Sequence, residues 1–211
     1  MAAALPERAK ALLDFWFGPE GDPEREKDRK EWFNGTPDYD GRLSQAFLGD
    51  YERAAAGDLA AWEAAPESAL ALVLLLDQIP RNIFRETPRA YASDPQARSV
   101  ADRALARGFD QAVPPAWRIF FYMPFHHSEN LADQERSAAL FAALPRNPDR
   151  RGSLRRYGRP YIEVIARFGR FPHRNAILGR ESTAEEAAFL EERKLREAGA
   201  PAADPTPAGE P

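Results

Sequence analysis

The sequence predicts an all-α fold of stacked antiparallel helix pairs, and three observations carry that expectation. No stretch of the 211 residues alternates Val, Ile, Thr and aromatic residues with the period of two that marks a half-buried strand. Asp22 before Pro23, and Asp94 before Pro95, each set a capping residue ahead of a proline suited to the first helical position. Ser182 with Glu185 three residues on reads as a capping box.

In chain order, helices are expected over Pro6 to Phe17, Tyr39 to Ala56, Glu67 to Gln78, Pro95 to Arg107, Ala116 to Tyr122, Leu131 to Leu144 and Tyr161 to Phe168, with proline and glycine separating them at short intervals. The Glu67 to Gln78 helix holds the apolar run Ala69 to Leu76, and Pro80 must kink it or restart it. Gly108 closes the Pro95 helix after Ala101, Ala104 and Leu105. A last helix opens at Ser182. Its patch of Ala188, Phe189 and Leu190 is small among many charges, so it is expected to be largely solvated. Trp16, Trp32, Trp62 and Trp117 are spread over separate segments beside other apolar residues and read as core.

These elements are expected to form one domain over residues 1–198. The stretch AGAPAADPTPAGEP is rich in proline and alanine without periodicity, so residues 199–211 are expected to be disordered. No exact internal repeat is visible, although paired short helices at comparable spacing are what a divergent helical-repeat protein shows.

Composition excludes several functions. Lys plus Arg total 29 against 33 Asp plus Glu, and a net charge of -4 gives no overall field to gather phosphate backbones. No nucleic-acid partner is expected, although the run RRGSLRRYGR, Arg150 to Arg159, is a local basic patch. The absence of cysteine removes disulfides, thiolate metal sites and cysteine nucleophiles together. The longest apolar run is far shorter than the roughly 20 residues of a membrane span, and the N-terminus lacks a secretory pattern. A cytoplasmic protein without membrane partner is expected, and nothing in the pattern fixes an oligomeric state. Lys10, Lys27, Lys30 and Lys194 are the only lysines, so most basic residues carry the planar fork that pairs with carboxylate or phosphate.

Three phrases concentrate polar residues beside apolar ones. In LALVLLLDQIPRNIFRETPRAYASD, Asp77, Arg81 and Arg85 stand at i, i+4 and i+8 with Gln78 and Asn82 beside them, which reads either as an ion-pair ladder or as a pocket wall. In FFYMPFHHSENLADQERS, aromatic residues lead through a loop after Pro124 into His126, His127, Ser128 and Glu129, followed by Asp133 and Gln134. His126 and Glu129 have the spacing of a base with an orienting carboxylate; alternatively Ser128 or Asn130 caps the next helix and a histidine bonds a buried carbonyl. In IARFGRFPHRNAILGRES, Arg167, Arg170, Arg174, His173 and Asn175 surround Gly169 and Pro172, as in a small site for carboxylate or phosphate, or as a loop whose arginines pair with neighbouring acids. No zincin motif, P-loop or dinucleotide fingerprint is present, and neither a metal nor a cofactor is expected. No nucleophile elbow or serine–lysine pair is recognisable.

Together LLDFWFG, LLDQIPRNIFRETPRAYASD, PFHHSENLADQERS and RFGRFPHRNAILGRESTAEEAAFL resemble the bacterial family catalogued as domain of unknown function 924, over about Leu12 to Leu190. The resemblance implies a tetratricopeptide-like α–α superhelix without an assigned reaction. The residues matching its polar signature are Asp77, Gln78, Arg81, Asn82, Arg85, His127, Ser128, Glu129, Asp133, Gln134, Ser137, Arg167, Phe171, His173, Arg174 and Asn175. It also implies a histidine near the position of Tyr161, whose absence here shifts weight from a histidine cluster to an arginine-lined pocket.

Two functions follow as expectations. In the first, the three phrases meet in one cleft that binds a small anionic metabolite. There Arg81, Arg85, Arg167, Arg170 and Arg174 serve as forks, Asp77, Asn82, Asp133, Gln134 and Asn175 line the cleft, and His127, Glu129 and His173 transfer protons. In the second, the concave helical face binds a protein or peptide and there is no reaction. Function then turns on whether the acids consume every arginine fork.

Overall fold

Amphipathic spacing builds the first two helices. In α1 (Glu7–Phe17), Ala9, Leu12, Leu13, Trp16 and Phe17 recur at helical intervals and are all buried. Thr36 Oγ1 accepts the Tyr39 N–H at 3.2 Å and Pro37 takes the first position, so α2 (Pro37–Ala56) starts two residues before the expected Tyr39. It stops at Gly57, whose φ of 90° is left-handed. The protein is described as a computed structural model over residues 4–27, 29–32, 35–144 and 158–199, and every regular element among the described residues is helical.

The centre is a helix apolar all round because it is buried all round. α3 (Pro66–Val73) continues through a π-helical turn, Leu74–Gln78, into α4 (Ile79–Ile83). Pro80 explains the wide turn. It has no N–H to offer the Leu76 carbonyl four residues back, and Ser93 Oγ donates to that carbonyl instead, at 2.6 Å. The expected break at Pro80 is thus absorbed in one continuous run.

α5 (Asp94–Ala106) is followed by Gly108, left-handed at φ 69°. The expected cap is displaced: Ser93 precedes the helix, and the Asp94 carboxylate turns away to receive an arginine fork. Asp22 caps no helix at all; its Oδ1 accepts the Glu24 N–H at 2.8 Å in a local turn. α6 (Pro115–His126) runs past the expected Tyr122 and carries Pro124 inside it, so His126 is helical rather than in a loop. Asn130 caps α7 (Leu131–Ala143), accepting N–H groups of Ala132 and Asp133 at 2.9 and 3.3 Å.

α8 (Gly158–Phe168) and α9 (Ala184–Gly199) complete the described chain. The capping box of α9 is one residue later than expected: Thr183 Oγ1 accepts the Glu186 N–H at 3.1 Å, and Glu186 Oε2 accepts the Thr183 N–H at 2.8 Å. The expected disordered tail beyond Gly199, and the basic run from Arg150 to Tyr157, lie outside the described residues.

α1 packs on α3, α2 on α4, α5 on both α3 and α6, α6 on α7, and α7 on α8. A buried apolar cluster from Ala9 to Leu144 includes all four tryptophans. Phe17 stacks on Trp117 at 4.2 Å and Trp16 meets Phe120 edge-on at 5.6 Å. Among the described residues no helix is long and apolar enough to cross a membrane.

Candidate functional site

The π turn places Asp77 in the interior, fully buried. Its Oδ1 lies 2.8 Å from His127 Nδ1 and 3.3 Å from Arg81 Nη1, while Oδ2 accepts Gln78 Nε2 at 2.6 Å. Burial alone pushes this carboxyl up, but His127 and Arg81 outweigh it and hold it below the ordinary carboxylate value. An ionised Asp77 can only accept, which assigns a proton to Nδ1 of His127.

The backbone that carries His127 is gripped on both sides. Gln134, itself fully buried, donates to the carbonyls of His126 and Ser128 at 2.5 and 2.7 Å. Arg174 Nη1 donates to the His127 carbonyl at 3.0 Å, with its guanidinium between the rings of Tyr91 and Phe171 at 4.6 and 4.5 Å. Arg81 closes the set with a two-pronged contact to Asp94 at 2.8 and 2.9 Å.

A cleft of about 430 Å³ opens beside this network. Its walls are the turn at Pro88–Tyr91, the start of α5 with Asp94, Pro95 and Arg98, the turn His127 to Asn130, and Arg174 with Leu178. Glu129 ties two of these walls together by accepting the Phe171 N–H at 2.8 Å and the Arg180 fork at 2.7 and 2.9 Å. Burial raises its pKa, yet the Arg180 and Phe171 bonds bring it below the ordinary glutamate value.

Of the residues singled out in the sequence, His127, Ser128, Glu129, Asn130 and Arg174 line the cleft. Asp77, Arg81 and Gln134 stand behind it and fix His127 and Asp94. Asp133 receives the Ser128 hydroxyl at 2.7 Å. The others lie elsewhere. Asn82 and Arg85 both bind Asp40, at 3.0 and 2.8 Å, so the expected ladder from Asp77 splits after Arg81. Arg167 pairs with Glu185, and Arg170 together with Asn175 holds Glu186. His173 lies against the Phe171 ring, and His126, expected to pair with Glu129, lies against Tyr161 at 4.3 Å. Among the described residues no group of three His, Asp or Glu is placed to hold a metal ion.

Arg98 was not singled out by the sequence; of the two arginines that line the cleft, Arg98 and Arg174, it is the one whose terminal nitrogens have no partner among the described residues. It lines the cleft with its side chain 31% exposed, makes no hydrogen bond, and has one ionic contact, from Nε to Asp133 at 3.5 Å. Its signal in the sequence was the i, i+4 relation to Asp94, masked by the ordinary amphipathic pattern of α5.

The molecule is therefore an all-α protein with a buried Asp–His pair set beside a polar cleft. The chain belongs to the family described as Bacterial protein of unknown function (DUF924), whose profile matches residues 12–194. It is similar to the solved structure titled as a protein of unknown function, ATU0120, from Agrobacterium tumefaciens, at 41% identity and a TM-score of 0.77, covering 87% of this chain and 97% of that one. No curated protein matches significantly.

Proposed function

We propose that the cleft binds a small anion, with Arg98 as the fork that meets it and Arg174 as a fixed positive charge in the same wall. The observation that carries this reading is the open fork of Arg98 in a cleft that also exposes part of the His127 turn. Acids of the chain pair with Arg81, Arg85, Arg167 and Arg170, the Arg167–Glu185 pair at the surface, so these arginines serve as ion pairs of the fold. His127, oriented by Asp77, is the group suited to exchange a proton with a bound ligand. Glu129 shapes the cleft through its clamp on Arg180 and Phe171. The cysteine-free sequence supports a cytoplasmic setting.

A second reading, a tetratricopeptide-like interaction module, draws on the successive packing of α5, α6, α7 and α8. Calorimetric titration of acetate, phosphate and sulfate separates the two. The expected result is saturable binding of at least one anion, weakened about tenfold or more by Arg98→Ala. If no anion binds while a peptide array yields a ligand, the module reading prevails.

A further inference from the structure

We infer that the ligand is a monocarboxylate carrying an apolar body, bound through its carboxylate to Arg98. The inference rests on the anion reading above and narrows it. An arginine fork offers two parallel donors that match the two oxygens of a carboxylate, whereas a phosphate monoester brings three terminal oxygens and nearly a second charge. The cleft is poorly equipped for the latter. Asn130 Oδ1 already occupies the Ala132 and Asp133 N–H groups in the first turn of α7. Arg174, the other cation of the wall, is committed to the His127 carbonyl and lies 3.7 Å from Asp94. Asp94 and Glu129 also line the cleft, and their carboxylates already take the forks of Arg81 and Arg180, so those two arginines are not available to a second negative charge. Pro88, Ala92, Pro95 and Leu178 supply the apolar part of the lining, which a bare carboxylate leaves uncovered.

Three probes separate these features: phenylacetate, phenyl phosphate with a similar ring, and acetate with no body. Each is titrated by calorimetry into the wild type and into Arg98→Ala and Arg98→Lys. Phenylacetate is expected to bind about tenfold or more tightly than either of the other two. Arg98→Ala is expected to weaken phenylacetate about tenfold, and Arg98→Lys to recover only part of it because an ammonium cannot make the paired contact. Unchanged melting temperatures of both variants exclude a folding defect. Tighter binding of phenyl phosphate overturns the carboxylate assignment and leaves the anion reading standing. Acetate binding as tightly as phenylacetate overturns the apolar body, and undiminished binding by Arg98→Ala overturns the fork. If none of the three probes, nor sulfate nor inorganic phosphate, binds, both readings fall.

Discussion

Glu186 and Asp77 show two ways in which a buried carboxylate is kept ionised. Glu186 accepts the Arg170 fork, the Thr183 N–H and the Asn175 amide, and Arg170 foremost pulls its pKa down to about 2. A depressed carboxylate stabilises the fold above its unfolded pKa and loses that contribution as pH falls through the folded value. The Glu186 contribution is therefore full above about 4.5 and gone below about 2. Glu186→Gln is expected to cost about 1–3 kcal/mol at neutral pH and to flatten the acid limb of stability, as measured by urea unfolding at several pH values. Asp77 is the partner of His127 Nδ1 and a second acid beside Arg81, which keeps Asp94, so Asp77→Ala removes the carboxylate that orients His127 and is expected to cost about 3–5 kcal/mol, with Asp77→Asn costing less. The sequence marked Asp77 through its place at the end of a very apolar run. It could not mark Arg98, because an arginine with few partners looks in sequence like any surface residue of an amphipathic helix.

At the scale of elements, the links between helices decide where the cleft lies. Pro80 removes a helical N–H, the π turn follows, and Ser93 is drawn to the vacated Leu76 carbonyl, which sets Asp94 against Arg81 at the edge of the cleft. Ser93→Ala is expected to lower stability by about 1–3 kcal/mol, since the buried Leu76 carbonyl loses its hydroxyl donor, and to weaken anion binding through displacement of α5. Asn130→Ala removes the α7 cap at an expected cost of about 1 kcal/mol in thermal unfolding. Helix order among the described residues was largely legible from proline, glycine and capping residues, although Asp22 and Pro23 open no helix. Register was less so. Ser182–Glu185 and Thr183–Glu186 have the same spacing, and burial chose between them: Glu186 turns inward to Arg170, while Glu185 meets Arg167 at the surface. Likewise Pro124 reads as a helix breaker and yet is carried inside α6.

For the whole molecule, the convergence of three polar phrases proved partial because most of their arginines join elements together. The first and third phrases reach the cleft edge through Asp94 and Arg174, the second through His127, and Asn82, Arg85, Arg167 and Arg170 tie other helices. Several carboxylates with depressed pKa share this work, Asp14, Asp77, Glu129 and Glu186 among them, so global stability is expected to decline steadily as pH falls below the ordinary carboxylate range. In this arrangement acids of the chain pair with Arg81, Arg85, Arg167 and Arg170 while the Arg98 fork stays open to a ligand. Nitrogen-edited NMR of the arginine side chains, recorded while phenylacetate is added, tests it most directly. The expected result is a saturable shift of the Arg98 Nε–H signal, with those of Arg85, Arg167 and Arg170 unmoved. A shift confined to Arg85, Arg167 or Arg170, with Arg98 unchanged, would contradict it.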